Sequence, residues 1–415
     1  MKTPLKIFLV SVLCLLVGTS SCAQKKKEKK QHRVTNISFN NFSNSPDISK
    51  GFWTASKEGE YIYISLLNSG RRNVGSFHIN FTVEENELTK TATGFELDRA
   101  AGTMKFDGSF PTDEESGKFT FSRKPEFETF LKGKILSDIE GDKDYYYFKL
   151  FLGSIDRDYV NGLESLGYKP TMKQLGKLGI HDLGLDYIKA LRKTKYSDLD
   201  LDMMIKWAIH GVSVYYVDEL AKAGYGDMDA NMVKNFAVHN ISIDYINGLA
   251  KVGYGDMDPK MIKNFAVHRI SLDYINGLAE AGYKNLDPNM IKNFAVHRVS
   301  VKYIKGLSKA GYENMDPHMV KNFAVHGISI DYINGLAKIG YANLDPNMVK
   351  NLAVHGVSLK YIRALLDSKI KKPDVHTLKR AKIHNVTANF IEYARERGHE
   401  SDELHDYIKW RIRGV

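Results

Sequence analysis

Apolar residues in the second half of the chain fall into two short sets per unit, each one helical face wide. In the unit that opens at His268 the first set is Ile270, Ile275 and Leu278, and the second is Met290, Ile291, Phe294 and Ala295. Spacings of three and four residues in each set predict two amphipathic helices. The polar residues between them predict where each helix starts and stops. Ser271 is a side-chain acceptor for the first free N–H groups of a helix, and Ile270 and Ile275 flank it as a hydrophobic staple. Gly282 takes the left-handed conformation that ends a helix, and Tyr283 then packs back on Leu278. Asp287 caps the second helix, and Pro288 sits at its first turn, where a missing N–H costs nothing.

The unit then repeats. Its histidine stands at 181, 210, 239, 268, 297, 326, 355 and 384, always 29 residues apart. A fixed period of this length is the mark of a repeat array. A single hairpin cannot bury its apolar face alone, whereas stacked neighbours can. The fold class expected is therefore α+β: a small antiparallel β domain followed by a right-handed-type αα-hairpin solenoid of about nine 29-residue repeats. Gly277 lies mid-helix and recurs as Gly248, Gly306 and Gly335. Glycine there costs about 1 kcal/mol relative to alanine, which points to a close approach by another backbone or to drift among recently duplicated repeats. At the start of the array Tyr145–Phe148 reads as a divergent second-helix element, and residues 155–168 as a first helix out of phase by one residue.

Residues 34–132 lack the repeat and alternate with a period of two. Strands are expected at Tyr61–Leu66, Phe77–Val83, Gly94–Leu97, Thr103–Phe106 and Lys118–Phe121, within a sheet of five to seven. Turn signals at Asn68-Ser69-Gly70, Ala101-Gly102 and Glu115-Ser116-Gly117 separate them. A short helix follows at Pro125–Leu131, and the helical region covers 133–415.

The first residues change the picture of where the protein works. Lys2 and Lys6 precede an apolar run, Ile7–Val17, and small residues lead to Cys22. That is a signal peptide, 1–21, with an apolar run too short for a membrane span of about 20 residues. The segment ending at Cys22 resembles a bacterial lipobox, which implies that Cys22 becomes the lipidated first residue. Thr19 stands where that pattern prefers leucine, so ordinary signal cleavage is the alternative. Residues 22–33 form a Lys-rich tether. Leader and tether hold +7 of the formal +10, so residues 34–415 carry only +3. The basic balance therefore belongs to a segment that can lie on anionic headgroups, and nucleic acid is not an expected partner. The cysteines are Cys14 and Cys22, and removal of the leader leaves no internal disulfide.

Three ladders are the candidate chemistry. His210, His239, His268, His297, His326 and His355 each end a second helix, where a ring N–H can reach a free carbonyl. Equivalent helices pack about 8–10 Å apart, whereas zinc draws its ligand nitrogens to within about 2.1 Å. The ladder is thus expected to be structural, with no metal and no cofactor. Tyr216, Tyr245, Tyr274, Tyr303, Tyr332 and Tyr361 form a second ladder that ends in Phe390, which points to ring packing more than to the hydroxyl. Lys234, Lys263, Lys292, Lys321 and Lys350 form a basic stripe on the second helices. A solvated helix face explains such a stripe, and it is also the best candidate for binding a partner, because solenoids present aligned positions as extended surfaces. No nucleophile elbow or phosphate-cradling loop is present. His399 and His405 lack the spacing of a zinc-protease helix. The expectation is not an enzyme.

The unit, with its Gly-Val-Ser start and Gly-Tyr stop, resembles short helical repeats of Bacteroidota-type envelope proteins. In some relatives these follow a membrane metallopeptidase domain of the antibiotic-sensing type. The segments Phe95–Thr103, Phe106–Gly108 and Gly117–Phe121 are similar to the β region before them. The resemblance implies a lipid-anchored envelope sensor or adaptor accessory, on the periplasmic side or the cell surface, that binds another envelope protein. The peptidase motif is absent here, so no proteolytic activity is implied. The alternative is a glycan- or peptidoglycan-binding protein with its site in the β domain, where Trp53, Tyr61 and Tyr63 offer a stacking face or fill a sheet core.

Overall fold

The computed structural model describes residues 34–40, 47–68, 76–136 and 142–414. The leader, Cys22 and the Lys-rich tether lie outside the described residues. No described helix is long and apolar enough to cross a membrane. The chain forms two compact units, residues 1–186 and 187–415.

The first unit is built on an eight-stranded antiparallel sheet. Its strands are β1 (Val34–Asn40), β2 (Lys50–Glu58), β3 (Tyr61–Asn68), β4 (Ser76–Glu84), β5 (Leu88–Lys90), β6 (Gly94–Arg99), β7 (Gly102–Asp107) and β8 (Glu115–Arg123), in the spatial order β1-β4-β3-β2-β8-β7-β6-β5. The sequence pattern marks five of these. β1, β2 and the three-residue β5 carry a weaker alternation and complete the sheet at eight.

One face is the core. Trp53, Ile64, Phe81, Phe95, Phe106 and Phe119 are buried on it, as strand alternation requires. Trp53 meets Phe95 and Phe106 edge-on, with centroids at 5.1 and 5.8 Å, and its Nε1 donates to the carbonyl of Asp107 at 3.2 Å. A helix, α1 (Pro125–Leu131), follows β8 directly, and α2 (Lys143–Leu152) covers part of the core face. Phe148 packs on Phe77 and Phe121.

Arg99, at the end of β6, locks α2 down. Its Nη1 donates to the carbonyls of Phe151 and Leu152 at 2.8 and 3.3 Å, and its Nη2 pairs with Glu87 at 3.0 Å. Burial pulls this guanidinium below its ordinary pKa, and the Glu87 carboxylate opposes that shift. A cation at a helix C-terminus also meets the negative end of the macrodipole.

Nine helix hairpins follow, from Arg157 to Arg413. The central one has helices at Leu272–Glu280 and Pro288–Val296. The caps are those the sequence calls for: Ser271 accepts from the N–H of Tyr274 at 3.1 Å, and Asp287 accepts from Asn289 at 2.8 Å. Gly282 has φ 98°, and the Tyr283 N–H returns to the Leu278 carbonyl at 2.9 Å. In the second unit successive second helices pack on one another, and so do successive first helices. The hairpins therefore form two layers.

The mid-helix glycine makes room for a side chain, not for a backbone. A Cβ at Gly335 would lie 2.1 Å from Leu359 Cδ1, and one at Gly248 would lie 2.2 Å from Leu272 Cδ1. In each case a branched residue at the first position of the next hairpin fills the hole. Where that residue shrinks to Ala388, the matching position becomes Ala364.

Candidate functional site

From Ile243 to Val354 each hairpin is tied to the next by two phenol hydroxyls, whereas in the following hairpin Ile370 replaces the second tyrosine. The first belongs to the tyrosine three residues after the serine cap. Tyr216, Tyr245, Tyr274, Tyr303 and Tyr361 donate to the carbonyls of Ile241, Ile270, Val299, Ile328 and Val386 at 2.6 Å, and Tyr332 donates to Val357 at 2.7 Å. The second belongs to the tyrosine after the helix-ending glycine. Tyr254, Tyr283, Tyr312 and Tyr341 donate to the carbonyls of Leu286, Met315, Leu344 and Pro373 at 2.6–2.8 Å. Both acceptors have the same place: each is the carbonyl just before the capping residue of a helix in the next hairpin.

The hydroxyl thus has a function that the terminal Phe390 concealed. Ring packing alone is not the role of this ladder. Burial raises the phenol pKa, to about 12 at Tyr245, Tyr303 and Tyr332 and in the same direction at Tyr216, Tyr274 and Tyr361. The protonated donor is the form the seam holds.

The histidines lie elsewhere. His210, His239, His268, His297, His326 and His355 are the C-cap residues of the second helices, and their side chains are exposed. The ring-to-carbonyl bond expected of them is not found among the described residues. Backbone groups close the helix end instead. The His268 N–H reaches Asn264, Arg269 N–H reaches Ala266, and Ile270 N–H reaches Phe265 at 2.9 Å. This is a Schellman closure, with a left-handed residue after the histidine. That residue is Gly211, Gly327 or Gly356 in some hairpins, but Arg269 (φ 54°) and Arg298 (φ 57°) in two others. No group of three or more potential metal ligands occurs among the described residues.

One position that the sequence did not flag stands beside each histidine. Ile209, Val238, Val267, Val296, Val325, Val354 and Ile383 close seven consecutive second helices, and they are 41–53% exposed. A lone exposed valine needs no explanation. Seven in register, on helices packed side by side, make an apolar position that recurs along one edge. Lys234, Lys263, Lys292, Lys321 and Lys350 lie one turn before the valines on the same helix face, half-buried along their stems. Lys350 Nζ donates to Asn347 at 3.1 Å.

The charge of this face is one-sided. The six second helices between Ala230 and Ile383 contain eight lysines and one arginine, and no aspartate or glutamate. The acidic residues of the same hairpins are the capping aspartates at the other end, turn residues such as Asp256 and Glu313, and first-helix residues such as Asp244, Asp273 and Asp331.

The three aromatic residues of the β domain do not meet. Trp53 is 1% exposed on the core face, while Tyr61 and Tyr63 point to the other face, opposite Glu58 and Ser56. A sugar-stacking platform of all three is therefore not formed. Comparison with protein-family models and with curated proteins finds no match.

Proposed function

We propose that the protein is a non-catalytic, lipid-anchored envelope protein that serves as an interaction scaffold or as an accessory to a sensor or adaptor. The leader ending at Cys22 supports the anchor, and the similarity of the repeats to those of envelope proteins supports the setting. The observation that carries the binding role is the line of seven exposed aliphatic residues, six of them on helices without an acidic residue. Folding alone gives no reason to leave an aliphatic side chain in water at the same place in seven consecutive hairpins. A docked partner does.

A pull-down tests this. The mature chain is used as bait in envelope extract, beside a variant carrying Val267→Ser, Val296→Ser and Val325→Ser. The expected result is a partner retained by the wild type and lost by the variant, with unchanged circular dichroism. Equal capture by both proteins would remove the stripe from the account. Labelled palmitate tests the anchor separately: incorporation should disappear in Cys22→Ala.

A further inference from the structure

The proposed docking line sets the spacing of what lies on it. Equivalent residues of packed neighbouring helices stand about 8–10 Å apart. An extended polyproline-type chain advances about 3.1 Å per residue with three residues per turn. Every third side chain of such a chain then faces the same way, about 9 Å from the last. The two repeats agree.

The chemistry of the line is as definite as its spacing. Val267, Val296 and Val325 call for an apolar residue at each step. Lys263, Lys292 and Lys321, one helical turn away, call for an acidic residue beside it. Arg269 and Arg298 add cations at the edge, and both stand in a left-handed backbone conformation that the flanking hairpins give to Asn240 and Gly327. For a residue with a Cβ that conformation is disfavoured, because the Cβ crowds the following carbonyl oxygen. Two guanidiniums held there at a local cost are consistent with an anionic partner.

We infer that the partner segment is an extended, acidic polypeptide with an aliphatic residue at every third position, docked along the exposed ends of the second helices. This rests on the scaffold reading above and adds the partner's conformation, period and charge. The extended form suits a long, shallow line, because such a segment is already stiff and loses little entropy on binding.

The test uses the full mature chain and a fluorescent peptide of about seven Val-Glu-Pro triplets, long enough at ~9 Å per triplet to follow seven hairpins. Fluorescence anisotropy should show binding that weakens with salt, as expected of a charge-assisted contact. Loss of at least about tenfold in affinity, or ~1.4 kcal/mol, is expected with Val267→Ser, Val296→Ser and Val325→Ser together. A peptide of the same composition in shuffled order should also bind at least about tenfold more weakly. Equal binding of the shuffled peptide, of oligothymidylate or of anionic vesicles would overturn the inference, because the line would then read charge without period. Absence of any peptide binding would overturn it too, while a partner captured in the pull-down and lost in the serine variant would leave the scaffold reading intact.

Discussion

The tyrosine seams and the histidine edge come from the same hairpins and keep the same period, but their polar groups have opposite fates. The seam hydroxyls of Tyr274 and Tyr283 are half-buried, that of Tyr341 is buried, and each has its partner in the following hairpin. Each edge imidazole is exposed, and the helix end beside it is closed by backbone alone. Regular recurrence in a repeat protein is therefore not one signal. At Tyr274 it marks a bond that the array needs in order to stack. At Val267 and His268 it marks a surface that stacking leaves open, and only burial and partners separate the two cases.

The widest effect should come from pH, because it acts on every seam together. The seam phenols have folded-state pKa values above the ordinary 10. A raised folded value means that their contribution is complete below about pH 10 and is lost as pH rises through about 12. Titration followed by tyrosinate absorbance and circular dichroism should show helix loss coinciding with late tyrosine ionisation. Ionisation of all tyrosines near pH 10 with helices intact would contradict the seam.

Next in size is the removal of both bonds between two central hairpins. Tyr274→Phe with Tyr283→Phe leaves the carbonyls of Val299 and Met315 without these donors. Each change should cost about 1–3 kcal/mol if the carbonyl stays dry, and about 0.5–1.5 kcal/mol if water reaches it. Urea unfolding measures the sum.

A more local change sharpens the packing side of the comparison. Gly335→Ala places a methyl against Leu359 and should destabilise by about 1–3 kcal/mol. Adding Leu359→Ala should restore part of that loss, imitating the Ala364 and Ala388 pair already in the chain. No recovery in the double variant would show that the two residues do not share one site.

Much of this architecture is legible in the sequence, and the illegible part has a physical reason. Caps, stops and the two helical faces are local signals, so Ser271, Asp287 and Gly282 reveal them. The seam acceptors lie 25 or 32 residues away and are backbone carbonyls, which no residue type announces. Phe390 pointed away from the hydroxyl, and glycine at 277 does not say whether a backbone or a side chain fills its space. The exposed valine was hidden by its own chemistry, because an aliphatic residue next to Phe294 and Ala295 reads as more of the same core. In the β domain, alternation implied a core and a solvent face, but the cross-strand register was needed to put Trp53 on one and Tyr63 on the other.

The most direct measurement compares the two ladders on the same three hairpins. Tyr245, Tyr274 and Tyr303 are changed to phenylalanine in one protein, and His268, His297 and His326 to alanine in another. Chemical denaturation of both is read against the wild type, with and without chelator. The tyrosine protein should lose stability by several times the amount of a single hydrogen bond of about 0.5–1.5 kcal/mol. The histidine protein should stay within about 0.5 kcal/mol per site, as exposed substitutions do, and chelator should change nothing. A histidine protein as unstable as the tyrosine one, or a wild type weakened by chelator, would contradict the division between seam and edge.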